Sequence, residues 1–220
     1  MKKKLCIIVP YRDRKEHLDK FLPAMEKHLD GQKLDWSIVI VEQTFDKPFN
    51  RAKLLNVGYA YTKGKCDYYC MHDVDMLPVE GKADYSYCPQ PTHLASMASQ
   101  FGYKLPYEGY FGGVTMFDKE SFEKINGYAN EYWGWGAEDD DVLRRCATMK
   151  VSPARKKCVF ESLEHGRNII EDEYKKNLDK LGKNGEFDGK VFTEGLTNLE
   201  WTLLNKDTIH KNTTLIKVNI

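Results

Sequence analysis

The sequence predicts an α/β protein with a mostly parallel central sheet that is flanked by helices. Short, continuous apolar runs alternate along the chain with segments of helical periodicity. The runs at residues 5–9 and 36–41 have the length and the β-branched content of strands that are buried on both faces. Hydrophobic residues make up 41% of the 220 residues and charged residues 30%, as in ordinary globular proteins. We therefore expect a single domain over residues 1–220.

The first half of the chain carries clear local signals. Residues 5–9 predict the first strand, and Asp13 is placed to cap the helix that follows. Pro23 is expected to kink or divide this helix. Asn50 is expected to cap a second helix, which extends to Tyr61. Helical spacing predicts the apolar face of the first helix, which consists of Leu18, Phe21, Leu22, Met25 and Leu29.

The second half of the chain is predicted from shorter signals. Residues 166–195 are polar, charged and interrupted by glycines, which indicates a helix with mobile loops over the site. The remaining predicted elements are strands at 67–71, 112–117 and 158–162 and helices at 119–125 and 138–149.

Charge and cysteine content exclude several classes of protein. Lys plus Arg equals Asp plus Glu at 33 each, so a broad basic surface for nucleic acid is not indicated. No apolar run approaches the roughly 18 residues of a membrane-spanning helix, and we expect no transmembrane segment. Six cysteines in 220 residues are too sparse for a disulfide scaffold. We expect a cytoplasmic protein, either free or bound peripherally to the inner face of a membrane.

A short acidic motif, Asp73-Val74-Asp75, directly follows the apolar strand predicted at residues 67–71. On an extended segment, residues i and i+2 point to the same side, where two carboxylates repel each other unless a cation compensates. Carboxylate oxygens suit Mg²⁺ or Mn²⁺, ions that commonly bridge to phosphate oxygens. The sequence alone leaves open a solvated acidic turn.

A second motif, WGWGAEDDD at residues 133–141, precedes and opens a predicted helix. The helix dipole explains one or two acids at a helix N-terminus, but it does not explain the preceding tryptophans and glycines. Flat rings between glycines suit a mobile loop that stacks on a sugar, although two core tryptophans in a turn remain an alternative. Asp139 begins a helical stripe that continues with Val142, Leu143 and Cys146, so it is a candidate general base at the edge of a cleft.

Two weaker features lie elsewhere in the sequence. Residues 10–14 (PYRDR) follow the first strand, where arginines can hold a phosphate or a uracil edge and a tyrosine can stack on a base. A charged turn explains the same residues. His165 follows the strand predicted at residues 158–162 and is a candidate metal ligand, with an exposed or structural histidine as the alternative.

Taken together, these segments resemble the β-1,4-galactosyltransferase family over nearly the whole chain. The resemblance implies a GT-A fold with a Rossmann-like sheet, an inverting transfer, UDP-galactose as the donor, and Mn²⁺, Mg²⁺ or another divalent cation. The matching strings are VPYRDR at 9–14, FNRAKLLNVG at 49–58, HDVD at 72–75, YFGG at 110–113, NGY at 126–128, YWGWGAEDDD at 132–141 and EGLTNL at 194–199.

The resemblance also assigns roles to individual positions. Asp75 and His165 match metal ligands, and Asp139 matches the catalytic base. Tyr110 matches the residue whose size selects galactose over N-acetylgalactosamine. The positions that match nucleotide- or donor-binding residues are Pro10, Tyr11, Arg12, Arg14, Phe49, Arg51, Asp73, Val74, Tyr110, Gly113 and Trp135. The positions that match acceptor-binding residues are Trp135, Gly136, Glu138, Asp139 and Asp140.

The acceptor and the full set of metal ligands stay open. Family members use terminal N-acetylglucosamine, glucose or xylose, and the expected partner is such a saccharide or glycoconjugate, a lipid-linked one included. Where the family has a further metal ligand near His165, this sequence has Ser162 and Glu164. The alternatives are an N-acetylgalactosaminyltransferase, a hydrolase of UDP-sugars, and a non-catalytic carbohydrate-binding protein on the same fold.

Overall fold

The elements of secondary structure follow the predicted alternation. A computed structural model describes residues 2–164, 166, 169–181 and 191–220. The strands are β1 (Lys4–Tyr11), β2 (Asp35–Gln43), β3 (Tyr68–His72), β4 (Met76–Pro78), β5 (Thr92–His93), β6 (Met97–Ala98), β7 (Val114–Asp118), β8 (Ala154–Arg155), β9 (Val159–Ser162), β10 (Thr202–His210) and β11 (Thr213–Asn219). The helices are α1 (Lys15–Gly31), α2 (Arg51–Thr62), α3 (Lys119–Lys124), α4 (Glu138–Thr148) and α5 (Glu171–Lys180).

The main sheet has eight strands in the order β10-β11-β2-β1-β3-β7-β5-β8. The pairings β11–β2, β2–β1, β1–β3 and β5–β8 are parallel, whereas β7 pairs antiparallel with both of its neighbours. A small second sheet has the order β4-β9-β6. The predicted fold class, a largely parallel sheet covered by helices, is confirmed. Among the described helices, none has the length and apolar character needed to cross a membrane.

Strand β1 lies at the centre of two hydrophobic cores because its side chains alternate between the two faces of the sheet. Leu5, Ile7 and Val9 belong to the core that α1 covers, while Cys6 and Ile8 belong to the core under α2. A Cβ atom on Gly58 of α2 would overlap the Ile8 side chain, so glycine permits this helix to approach the sheet closely. Because β1 pairs parallel with both β2 and β3, the carboxyl ends of these three strands lie at one edge of the sheet.

The three predicted helix signals in the first half have different outcomes. The Asn50 side chain accepts a hydrogen bond from the Lys53 amide at 2.8 Å, so the predicted cap of α2 is confirmed. The predicted Asp13 cap is wrong, because Arg14 is the N-cap residue and Asp13 adopts a positive φ of 52°. Helix α1 also continues through Pro23 without being divided. Pro23 is exposed, so water can bond the carbonyl that loses its helical partner.

The C-terminal hairpin of β10 and β11 has no counterpart among the predicted elements. Strand β11 pairs parallel with β2, and its Ile216 and Val218 side chains are buried. Every residue of β10 is exposed, because this strand forms the outer edge of the sheet. A strand with no buried face lacks the apolar alternation by which strands are recognised.

Candidate active site

Acidic side chains from two distant motifs meet around Arg51, the first residue of α2. Its Nε donates to Asp73 Oδ1 at 2.6 Å, and its Nη1 donates to Asp139 Oδ1 at 2.9 Å. The same Nη1 lies 3.7 Å from Glu138 Oε1. Asp73 follows β3, and the other two acids open α4, so the fold joins motifs that the sequence showed only separately. All the partners of this arginine lie at the carboxyl edge of the sheet, where α/β proteins bind ligands.

Three acidic side chains surround the single positive charge of Arg51. Burial, together with the charges of Asp75 and Asp139, raises the pKa of Asp73 to about 6 despite the lowering effect of Arg51. Burial and the neighbouring Asp139 likewise raise the pKa of Glu138 to about 7. Carboxylates that stay this close in a partly desolvated site favour binding of an additional cation. Hard carboxylate oxygens such as these have the ligand chemistry that a divalent metal ion prefers.

The Asp73-Val74-Asp75 motif is a turn and not the extended segment that was predicted. The Met76 amide donates to the Asp73 carbonyl at 3.2 Å, and the Asp73 amide donates to the Gly113 carbonyl at 3.0 Å. The chain turns here because β3 belongs to the main sheet, while β4 pairs with β9 in the second sheet. The two carboxylates still interact, since the charge of Asp75 raises the pKa of Asp73.

Asp75 contacts the segment of the chain that precedes His165, the second predicted metal ligand. The Asp75 carbonyl accepts a hydrogen bond from the Leu163 amide at 2.8 Å, which places the end of β9 beside the acidic turn. His165, two residues further along the chain, lies outside the described residues. Among the residues that are described, no three His, Cys, Asp or Glu side chains form a ready metal cluster.

Tyr110 forms an aromatic wall next to the acidic cluster. Its ring contacts His93, Phe101 and Tyr107 edge-on, with centroid distances of 5.4, 5.4 and 5.6 Å. A Cβ on Gly112 would overlap Asp139 Oδ2 and would lie 3.0 Å from the Tyr110 hydroxyl. The backbone at this glycine thus lies between the tyrosine and the second oxygen of the Asp139 carboxylate.

The tryptophan loop before α4 depends on left-handed backbone conformations. Gly136 has a φ of 100°, and Ala137 follows with a φ of 74° directly before the helix. Trp135 is 42% exposed, and its ring lies 5.3 Å from the Tyr174 ring of α5. Asn177 of α5 also donates to the Trp133 carbonyl at 2.9 Å. The helix predicted within residues 166–195 therefore exists, and it packs against an exposed tryptophan and not a core one.

The predicted nucleotide-binding residues lie at the ends of β1 and β2. Pro10 and Tyr11 end β1. Arg12 Nη1 donates to the Thr44 and Lys47 carbonyls at 3.2 and 2.8 Å, and its guanidinium lies 5.2 Å from the Phe49 ring. Arg14 Nη2 donates to the Gly166 carbonyl at 3.5 Å. These residues border the segment that leads into Arg51, whereas Glu138, Asp140 and Gly136 border the site from the side of α4.

The fourth acid of the α4 motif, Asp141, has a structural role that the sequence analysis missed. Its side chain is fully buried and accepts from Arg145 Nε at 2.8 Å and from Arg144 Nη2 at 2.7 Å. Arg145 Nη1 in turn donates to the Glu194 carbonyl at 2.8 Å, and its guanidinium lies 4.5 Å from the Phe192 ring. The i,i+4 spacing of Asp141 and Arg145 is the sequence signal that could have identified this pair.

Replacement of Asp141 by Asn is expected to lower the free energy of unfolding by roughly 3–5 kcal/mol, because it leaves a buried arginine without its counter-charge. Urea unfolding followed by tryptophan fluorescence measures the change. The matched variant Asp140→Asn, at an accessible neighbouring position, is expected to change it by less than about 1 kcal/mol. Equal midpoints for Asp141→Asn and the unmodified protein would show that the buried pair contributes nothing.

Asparagine side chains form hydrogen bonds with the backbone at and just before the EGLTNL string (194–199). Asn126 Nδ2 donates to the Phe192 carbonyl, and Asn130 Nδ2 donates to the Gly195 carbonyl, both at 2.7 Å. Asn56 Nδ2 donates to the Tyr128 carbonyl, also at 2.7 Å. Asn126 of the NGY string therefore satisfies a buried backbone carbonyl, which is a structural reason for an asparagine at this position.

Comparison with known proteins identifies the fold and the family. Residues 1–89 match a family model described as "N-terminal region of glycosyl transferase group 7", and residues 92–168 match one described as "N-terminal domain of galactosyltransferase". Beta-1,4-galactosyltransferase 1 of Bos taurus is 36% identical over 206 residues, which cover 91% of this chain and 50% of the relative. The Homo sapiens protein of the same name is 36% identical over 207 residues, which cover 92% and 51%. The chain spans about half the length of these curated relatives.

Solved structures agree with the sequence comparison. The catalytic domain of a Drosophila β-1,4-galactosyltransferase 7 in complex with xylobiose matches with a TM-score of 0.81 and 27% identity, over 99% of this chain and 94% of that one. A mutant of the Drosophila enzyme in complex with manganese, UDP-Gal and xylobiose also has a TM-score of 0.81, with 26% identity and the same coverage. The GT-A fold is thereby confirmed. Since both family models and the curated relatives agree along nearly its full length, the chain belongs to the β-1,4-galactosyltransferase family.

Proposed function

We propose that residues 1–220 form one catalytic domain that transfers galactose from UDP-galactose to O4 of a terminal sugar with inversion, giving a β-1,4 linkage. The observation that carries this proposal is the convergence of Asp73 and Asp139 on Arg51, beside the Tyr110 wall. A metal-binding motif and a candidate base thus share one cleft edge. The Drosophila structure with manganese, UDP-Gal and xylobiose supports the same chemistry.

A divalent cation, Mn²⁺ in the first instance and Mg²⁺ as the alternative, is proposed to be held by Asp75 and His165. It would supply the positive charge that neutralises the departing UDP diphosphate. The Ser162 hydroxyl already donates to Met76 Sδ at 3.3 Å, whereas Glu164 is exposed. Because the Ser162 hydroxyl is already bonded, we propose Glu164 as the residue that adds an oxygen ligand.

Asp139 is proposed as the general base. Arg51 bonds one of its carboxylate oxygens, and the other oxygen lies beside the backbone at Gly112. That second oxygen can accept the proton of the acceptor hydroxyl while the hydroxyl oxygen bonds to C1 of the donor sugar and the bond from C1 to the UDP phosphate oxygen breaks. UDP leaves C1 with the electrons of the bond that breaks as the new bond forms, so the transfer takes one step and needs no covalent intermediate with the protein.

The other side chains bind and enclose the substrates. The exposed Trp135 ring can stack on a sugar face and exclude water, which would suppress hydrolysis of the donor. The Tyr107 hydroxyl donates to Asp140 Oδ1 at 2.8 Å and orients this acid at the acceptor side. Arg12 and Phe49 are proposed to border the uridine, and Arg14 the diphosphate.

A UDP-release assay with UDP-galactose, with and without Mn²⁺, tests the proposal across an acceptor panel of N-acetylglucosamine, glucose and xylose. We expect release that requires the metal and that at least one acceptor stimulates. Release at the same rate without any acceptor would instead identify a hydrolase of UDP-sugars. Binding of sugars without any release would identify a non-catalytic carbohydrate-binding protein.

Replacement of Tyr110 by Leu is expected to raise the use of UDP-N-acetylgalactosamine relative to UDP-galactose by about tenfold or more. The smaller side chain would open the space beside C2 of the donor sugar, where the N-acetyl group must fit. The measurement is the ratio of kcat/KM for the two donors. Tyr103→Leu, at an exposed tyrosine whose hydroxyl bonds Glu161, is the matched control and should keep the original ratio. An unchanged ratio in Tyr110→Leu would exclude this role.

A further inference from the structure

We propose that Arg155, on the edge strand β8, is a positioning residue that sets donor selectivity by fixing Tyr110 in place. It acts together with His93, its register partner on β5. This inference rests on the proposed function, because it assumes that Tyr110 lies beside the donor sugar. Neither residue was singled out by the sequence motifs.

Arg155 holds the segment that carries Tyr110 from one side. Its Nη2 donates to the Tyr110 carbonyl at 2.8 Å and to the Glu108 carbonyl at 3.1 Å. Its Nε donates to His93 Nδ1 at 3.2 Å. One planar guanidinium therefore bonds two carbonyls of the loop and one side chain of the neighbouring strand, which fixes the loop relative to the sheet.

His93 holds the same segment from the other side. Because its Nδ1 accepts from Arg155, its Nε2 carries the proton and donates to the Gly112 carbonyl at 2.9 Å. Burial lowers the pKa of His93 to about 4, so the ring is neutral at neutral pH and keeps this donor and acceptor arrangement. The carbonyls on both sides of Phe111 are thus bonded to a single Arg155–His93 pair.

The position of the Tyr110 ring depends on this support. Its centroid lies 5.4 Å from the His93 ring, so the histidine fixes the backbone and also contacts the side chain. The Tyr110 hydroxyl lies close to the backbone at Gly112 and Gly113, with distances of 3.0 and 3.6 Å to the positions of added Cβ atoms. A shift of the backbone would therefore move the hydroxyl within the space that the donor sugar needs, and a displacement of about 1 Å is enough to change turnover strongly.

The test compares kcat/KM for UDP-galactose and UDP-N-acetylgalactosamine, with one acceptor and Mn²⁺, in Arg155→Met and the unmodified protein. Met keeps most of the side-chain length but cannot donate any of the three hydrogen bonds that Arg155 forms. We expect the UDP-N-acetylgalactosamine to UDP-galactose ratio to rise on the order of tenfold, about the factor that one net hydrogen bond supplies. Lys157→Met, an exposed position two residues further along, is the matched control and should leave the ratio unchanged. Should Arg155→Met fail to fold, Arg155→Gln is measured in the same way and should show a smaller rise.

A double variant separates positioning from a general loss of stability. In Tyr110→Leu the tyrosine is already absent, so adding Arg155→Met should change the donor ratio less than about twofold. If Arg155→Met lowers kcat/KM for both donors by the same factor, the donor ratio is unchanged. Arg155 then only stabilises the loop, and the inference is wrong. If the unmodified protein turns over neither donor, the proposed function itself is overturned, and this inference fails with it.

Discussion

Asp139→Asn is expected to lower galactose transfer by about 10²–10⁴-fold while UDP binding stays close to that of the unmodified protein. The amide keeps the shape of the carboxylate and can still contact Arg51, but it cannot accept the proton of the acceptor hydroxyl. Asp139 bonds Arg51 and lies beside the backbone at Gly112. The proposed uridine and diphosphate contacts lie elsewhere, at the ends of β1 and β2. The loss should therefore appear in kcat and not in the affinity for UDP.

Initial rates and calorimetric titration with UDP and Mn²⁺ measure these two quantities on the same preparation. Asp140→Asn is the matched comparison, because Asp140 is the next residue and bonds Tyr107 at the acceptor side. It should mainly raise KM for the acceptor. Turnover of Asp139→Asn at the original rate would mean that another group accepts the proton.

Asp75→Ala is expected to weaken the metal-dependent part of donor binding by more than about tenfold, since even the outer partners of metal ligands are worth roughly 10–100-fold in affinity. Calorimetric titration with UDP-galactose, at a series of Mn²⁺ concentrations, measures the dependence. Asp84→Ala removes a partly exposed carboxylate that pairs with Lys156 away from the site, and it should leave the dependence unchanged. A metal requirement in Asp75→Ala equal to that of the unmodified protein would place the cation elsewhere.

Local signals predicted the parts of the fold that carry their own pattern. Strand β1 is a continuous apolar run because both of its faces are buried, and α2 begins at Asn50 because the asparagine side chain caps it. The β10–β11 hairpin escaped prediction for the opposite reason. All residues of β10 are exposed, and β11 is held in the sheet by β2, whose paired residues lie 175 positions earlier in the chain (Thr213 with Ile38).

The sequence identified the site residues as separate motifs, but it did not predict the contacts between them. That Arg51 bonds both Asp73 and Asp139 follows from the meeting of α2, β3 and α4, which no spacing in the sequence encodes. The contact of Arg155 with the Tyr110 carbonyl likewise depends on the pairing of β8 with β5. Residue types along a chain indicate what chemistry is available, whereas the tertiary fold determines which groups act on one another.

The most direct test of the central claim is a crystal structure with Mn²⁺ and UDP-galactose, in which the anomalous signal locates the metal. We expect an anomalous peak within coordination distance of an Asp75 carboxylate oxygen, with C1 of galactose on the side of Asp139. A peak remote from Asp75, or a sugar bound away from Asp139, would contradict the proposed metal site and the proposed base together.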